Sequence, residues 1–146
     1  MSTKILPSIL KIEFLPAEEL IISPRKIIVP GDAVKAIGQW TNIEISEPAS
    51  ANIVDEKTDD GIIYTTTING IIKDDDNKKL YHRLSSLFHV YRITDVYKNK
   101  YLIGIDKKPY PEINFSPVND ASPGGIRAIN FSIIWISTLP PIDIVN

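Results

Sequence analysis

Two histidines, a run of three aspartates and a scatter of tyrosines and lysines are the residues of this chain with chemistry beyond packing. His82 and His89 stand seven apart. A zinc pair on one helix face needs a spacing of four and a third ligand nearby, so these two predict no metal site. His82 is expected on the polar side of a helix and His89 at its end. Asp74-Asp75-Asp76 gathers carboxylates, but a calcium loop of the helix–loop–helix kind needs alternating acids, a central glycine and a terminal glutamate. The run is expected instead as a solvated loop, with Asp76 or Asn77 capping the positive end of a helix. Gly124-Gly125 precedes a strand pattern, whereas glycines that cradle phosphate precede a helix. There is no G-x-S-x-G elbow. The absence of cysteine removes thiol nucleophiles, disulfides and thiolate metal sites together. Neither catalysis nor a cofactor or metal is expected.

What remains is contact chemistry. Trp40, Tyr81, Tyr91, Tyr97, Tyr101 and Trp135 could stack on a sugar or a base. At strand and helix-stripe positions such rings are expected mainly in a core or as cross-strand pairs. Lys98, Lys100, Lys107 and Lys108 cluster around a polar turn, which is expected to be solvated. A net charge of -2 and a pI near 5.7 supply no global attraction to nucleic acid.

The frame for these residues must be rich in strands. Isoleucine dominates the apolar set, threonine is abundant and alanine scarce, and branching at Cβ suits a pleated surface. With 43% apolar and 23% charged residues the chain is too apolar for disorder, and its length suits one domain with one core. No apolar run nears the ~18 residues of a membrane span, and the start lacks the apolar core of a signal peptide, so no membrane partner is expected.

Alternation over Ser8 to Leu15 predicts a strand with Leu10, Ile12 and Phe14 inward, closed by Pro16. Leu20 to Ile22 and Ile27 to Val29 are short strand candidates, and Ile37 to Ile45 is expected to be extended. Residues 47–60 turn polar and predict a flexible loop, with at most a brief strand at Ile53-Val54. A long strand follows over Ile62 to Ile72, with Ile62, Tyr64, Thr66, Ile68 and Ile72 on one face and a bend expected near Gly70. Leu80, Tyr81, Leu84, Leu87 and Phe88 form a helical stripe, which predicts one helix at about Asn77–Phe88. Val90 to Asp95 and Tyr101 to Ile105 form a hairpin in which Asn99 is expected to take the left-handed conformation. Ile113 to Ser116 and Ile126 to Ser137 are further strands, the latter with Ile129, Phe131, Ile133 and Trp135 on one face. After Pro140-Pro141 the end, residues 138–146, is expected as an arm with little of its own domain to bury against. The fold class is mainly β: a β-sandwich or small β-barrel with one flanking helix.

The order of elements from Ile62 to Pro141 carries a resemblance. Tyr91-Arg92-Ile93-Thr94-Asp95, a turn, Tyr101-Leu102-Ile103-Gly104, a Lys107-Lys108-Pro109 break and a long strand ending in Ser137-Thr138-Leu139-Pro140-Pro141 follow one another. This is similar to small tail and neck virion proteins of tailed bacteriophages and prophages of Bacteroidetes-type bacteria. The turn Lys98-Asn99-Lys100 departs from a glycine-bearing one, and the first sixty residues add nothing. The resemblance implies a structural protein of the virion, assembled in the bacterial host cytoplasm: a homo-oligomeric ring or tube subunit of the tail or head–tail connector. Its partners would be copies of itself and other tail or neck proteins, with DNA passing near the lumen. Tyr97, Lys98, Asn99 and Lys100 of the hairpin, and Leu139, Pro140, Pro141, Ile142 and Ile144 of the arm, are the candidate subunit-interface residues. The alternative is a β-sandwich binding module that presents Tyr97, Tyr101 and the nearby lysines to a glycan or protein. A hydrolase built from scattered acids has no positive support.

Overall fold

The computed structural model describes residues 2–73, 84, 88–118 and 128–145. Twelve strands form among them: β1 (Ser2–Ile5), β2 (Ile9–Pro16), β3 (Ile21–Ser23), β4 (Ala33–Ile37), β5 (Thr41–Ile43), β6 (Ser50–Thr58), β7 (Gly61–Lys73), β8 (His89–Asp95), β9 (Lys100–Ile103), β10 (Glu112–Val118), β11 (Ala128–Ser137) and β12 (Ile142–Ile144). They make a five-stranded sheet in the order β1-β6-β7-β11-β10 and a seven-stranded sheet in the order β3-β4-β12-β9-β8-β2-β5. Neither closes into a barrel, and the architecture is sandwich-like.

The five-stranded sheet is organised by β7, whose register against β11 pairs Thr66 with Trp135, Ile68 with Ile133, Gly70 with Phe131 and Ile72 with Ile129. Period-two alternation puts this row on one face, and Thr66, Ile68, Ile72, Phe131, Ile133 and Trp135 are all buried. Gly70 makes no bulge in this ladder. It is a close-approach site, because a Cβ there would lie 2.6 Å from the Phe131 ring.

The seven-stranded sheet is curled. β4 and β5 are joined by only Gly38, Gln39 and Trp40, yet five strand-to-strand steps separate them in the sheet. Flat, those steps would span about 24 Å at ~4.8 Å each. The link from Ile37 to Thr41 reaches about 14 Å at full extension. The sheet must therefore bend until β4 approaches β5. Gly38 marks the closure, since a Cβ there would sit 2.5 Å from the Leu15 side chain of β2. Leu15 pairs with Val90, and Glu13 with Arg92, so these four residues share the concave face. Ile12 and Phe14, paired with Ile93 and Tyr91, are buried on the opposite face. Both faces of β2 and β8 are thus inside one core cluster.

Several expectations are corrected. A register shift between Ile9 and Lys11 resets the phase of β2, so Ile9 and Ile12 are buried and Leu10 is half exposed. Residues 47–60 hold the nine-residue strand β6, paired along its length with β7. The residues after Pro140-Pro141 are not a free arm. Ile142–Ile144 enters the sheet between β4, in parallel, and β9, antiparallel, and Leu139 and Ile142 are buried. Ile27 to Val29 form no strand, and Ile27 is 87% exposed. His89 is a buried residue of β8 with its ring edge-on to Phe14, 5.4 Å between centroids. Of the expected helix, Leu84 is helical and buried and Phe88 is largely exposed. The rest of that span lies outside the described residues, as do Asp74 to Asp76, His82 and Gly124-Gly125.

Candidate functional site

The β8–β9 hairpin is built on one carboxylate. Asp95 is 1% exposed, and its Oδ1 accepts the N–H groups of Tyr97 and Asn99, both at 2.9 Å. Its backbone C=O accepts from Lys98 N–H, and its N–H donates to the Asn99 carbonyl, each at 3.0 Å. These four bonds define the turn. They hold Asn99 by its N–H, so the left-handed position falls on Lys98, with φ 67°, and not on Asn99 as expected. Tyr97 projects outward at 73% exposure, with Val96 beside it. Tyr101 turns inward and places its hydroxyl 3.4 Å from Asp95 Oδ2. Burial, followed by the charges of Asp95 and Asp143, raises the pKa of that hydroxyl.

The second group of expected interface residues meets the first inside the sheet. Asp143 pairs with Tyr101 and Ile142 with Leu102. Tyr101, Pro140, Pro141 and Asp143 then line a cleft of about 290 Å³ with Tyr64 and Asp55 from the other sheet. Asp55 accepts Ser2 Oγ–H at 2.5 Å and Ser2 N–H at 2.9 Å, and these bonds hold its carboxyl below the usual range. Two phenol rings, two proline rings and two carboxylates could grip a polyhydroxylated ring by stacking and by accepting its hydroxyls. Tyr97 and Lys98 do not line this cleft.

A larger groove, of about 630 Å³, runs between Leu20–Ile28 on one side and Ile105–Lys107 with Thr138 and Leu139 on the other. Its apolar lining includes Ile21, 54% exposed, and Ile27. Arg25, Lys26 and Lys107 give it a basic margin, with one acid, Asp106. Asp32 braces this margin: it sits 3.5 Å from Lys26 Nζ and accepts Val29 N–H at 2.9 Å. The Val29 bond, assisted by Lys26, lowers the Asp32 pKa. The groove joins segments far apart in the sequence, Leu20–Ile28 and Ile105–Lys107, and no local pattern announces it.

The remaining buried charges are structural. Arg92 forks onto Glu13 with Nε to Oε1 at 2.9 Å and Nη2 to Oε2 at 2.6 Å, and its guanidinium lies 4.8 Å from the Trp40 ring centroid. Trp135 Nε1 donates to the Pro109 carbonyl at 3.0 Å, so this ring is core. Tyr91 is core as well, and burial raises its hydroxyl pKa. No group of three or more metal-binding side chains occurs among the described residues. No helix among them is long and apolar enough to cross a membrane. Comparison with protein-family models, curated proteins and solved structures finds no match.

Proposed function

We propose that the chain is a non-catalytic structural subunit that assembles with copies of itself into a ring or tube. One observation carries this reading: large apolar side chains stand exposed around the edge strand β3. Ile21 and its cross-strand neighbour Ile37 are both more than half exposed, and Ile27 and Val29 add to them in the next segment. Exposed apolar surface beside a strand edge that no described strand pairs with marks a place where another chain is met. The setting, a tail or head–tail connector in a bacteriophage virion with other tail or neck proteins as neighbours, rests on the sequence resemblance alone. Electron microscopy of the purified protein should show rings or stacks of defined rotational order, and mass spectrometry should find the chain in purified particles. A strictly monomeric chain would sink the assembly reading; absence from particles would sink the setting.

A second reading is a binding module for a glycan, favoured by the cleft in which Tyr64, Tyr101, Pro140 and Pro141 surround Asp55 and Asp143. A glycan array probed with the native chain and with Tyr64→Ala tests it. No binding by the native chain, or equal binding by both, counts against it.

A further inference from the structure

Among the described residues, the strand registers leave one piece of the five-stranded sheet without a lateral partner. The pairing of β1 on β6 stops at Asp55, and the pairing of β11 on β7 stops at Tyr64. Beyond those points Glu56 faces Ile63, Lys57 faces Ile62 and Thr58 faces Gly61, joined by Asp59-Asp60. Residues 56–63 therefore project as a two-stranded ribbon about 10 Å long. All are exposed except Thr58, which is half-buried. A two-stranded ribbon alone in water is marginal. This one also carries two large apolar residues, Ile62 at 46% and Ile63 at 37% exposure. Being consecutive, they point to opposite faces of the ribbon. Its charge is acidic: Glu56, Asp59 and Asp60 against the single Lys57.

The groove between Leu20–Ile28 and Ile105–Lys107 has the opposite properties, an apolar lining and a basic margin of Arg25, Lys26 and Lys107. A ribbon with an isoleucine on each face suits a groove lined from two sides better than it suits a flat surface. None of residues 56–63 lines the groove of its own chain.

We infer that the Glu56–Ile63 ribbon of one copy inserts into the Leu20–Ile28/Ile105–Lys107 groove of the next. The inference deepens the assembly reading and rests on it. The contact is head-to-tail, so repetition closes a ring if the rotation allows and otherwise extends a tube or filament. Opposite charges at the margins would steer the encounter and fix its register, and added salt would weaken it.

Charge exchange tests this. The native full-length chain, Asp59→Lys/Asp60→Lys, Arg25→Glu/Lys107→Glu and the fourfold variant carrying both pairs would be compared by sedimentation velocity over a concentration series. All four positions are exposed, so folding is expected to survive. Each pair alone should weaken association by about tenfold or more, as like charges meet across the contact. The fourfold variant should recover to within about threefold of the native chain, because the charges are then exchanged rather than opposed. An oligomer indifferent to either pair, or two weakened variants without recovery in the fourfold one, overturns the insertion and leaves self-assembly standing. A native chain that stays monomeric at every concentration overturns both.

Discussion

Arg92 and Glu13 lie directly opposite each other on neighbouring strands and share two hydrogen bonds on the concave face of a curled sheet. Both side chains are mostly buried, at 16% and 8% exposure. Trp40, from the short link that forces the curl, lies against the guanidinium. The pair thus connects the inner strands β2 and β8 to the link that joins β4 to β5.

Removing Glu13 leaves the mostly buried Arg92 without its carboxylate. Glu13→Leu is expected to cost about 3 kcal/mol, the lower end of the usual range because the pair is not fully sealed. Replacing both, as Glu13→Leu with Arg92→Met, should recover most of that loss. Urea denaturation of the single and double variants checks it.

Gly70→Val puts a branched side chain where the Phe131 ring already lies. Overpacking of this kind costs about 1–3 kcal/mol, and a second change, Phe131→Leu, should restore part of it by opening the space. Thermal unfolding of the two variants separately and together reads the coupling.

Lys98 carries a left-handed backbone that glycine adopts without strain. Lys98→Gly should gain up to about 1 kcal/mol in the folded state, reduced by the extra freedom of glycine in the unfolded chain. Chemical denaturation measures the net change, and self-association should not move, since the ribbon and groove are elsewhere.

Ile142 is held between β4 and β9. Ile142→Ala should destabilise the monomer by about 2–4 kcal/mol. A free arm would predict unchanged stability with weaker assembly, so stability and association measured on one variant separate the two.

Tyr91 is disfavoured as a phenolate by its burial. Its folded pKa lies above the unfolded value near 10, so the folded chain keeps a proton that the unfolded chain loses. Its stabilisation is complete below about pH 10 and declines as pH rises beyond that, by up to about 1.4 kcal/mol per pH unit. Tyr91→Phe should flatten the alkaline limb of a stability–pH profile; an unchanged limb would assign it to other groups.

Patterns that repeat every second residue were legible in the sequence. Ile129, Phe131, Ile133 and Trp135 sit on one inward face, and Thr66, Ile68 and Ile72 meet them across the ladder. The misreadings have physical causes. Strand β6 carries Glu56 and Lys57 because its last third projects into solvent, and that polarity hides the buried Ala51 and Ile53 at its start. Leu10 is turned outward by a register shift that alternation cannot foresee. Strand β12 is three residues long and follows two prolines, and its partner β4 lies more than a hundred residues earlier. For the site, local chemistry identified the hairpin, but Asp95 was noted only as a strand residue and not as the group that organises the turn. The groove could not be found at all, because its two sides come together only in the folded chain.

The place of β12 also bears on synthesis. Among the described residues β4 has two strand neighbours, β3 before it and β12 far behind it, and only β12 joins this pair to β9 and the rest of the sheet. While the ribosome is making the middle of the chain, β3 and β4 can pair with each other but have no strand through which to join the sheet, and Val34 and Ala36, buried in the finished fold, stay uncovered. The seven-stranded sheet becomes complete only when residues 142–144 are added. Its assembly is therefore a late event of long loop closure, and the interval before it is when the nascent chain is most exposed to unwanted pairing.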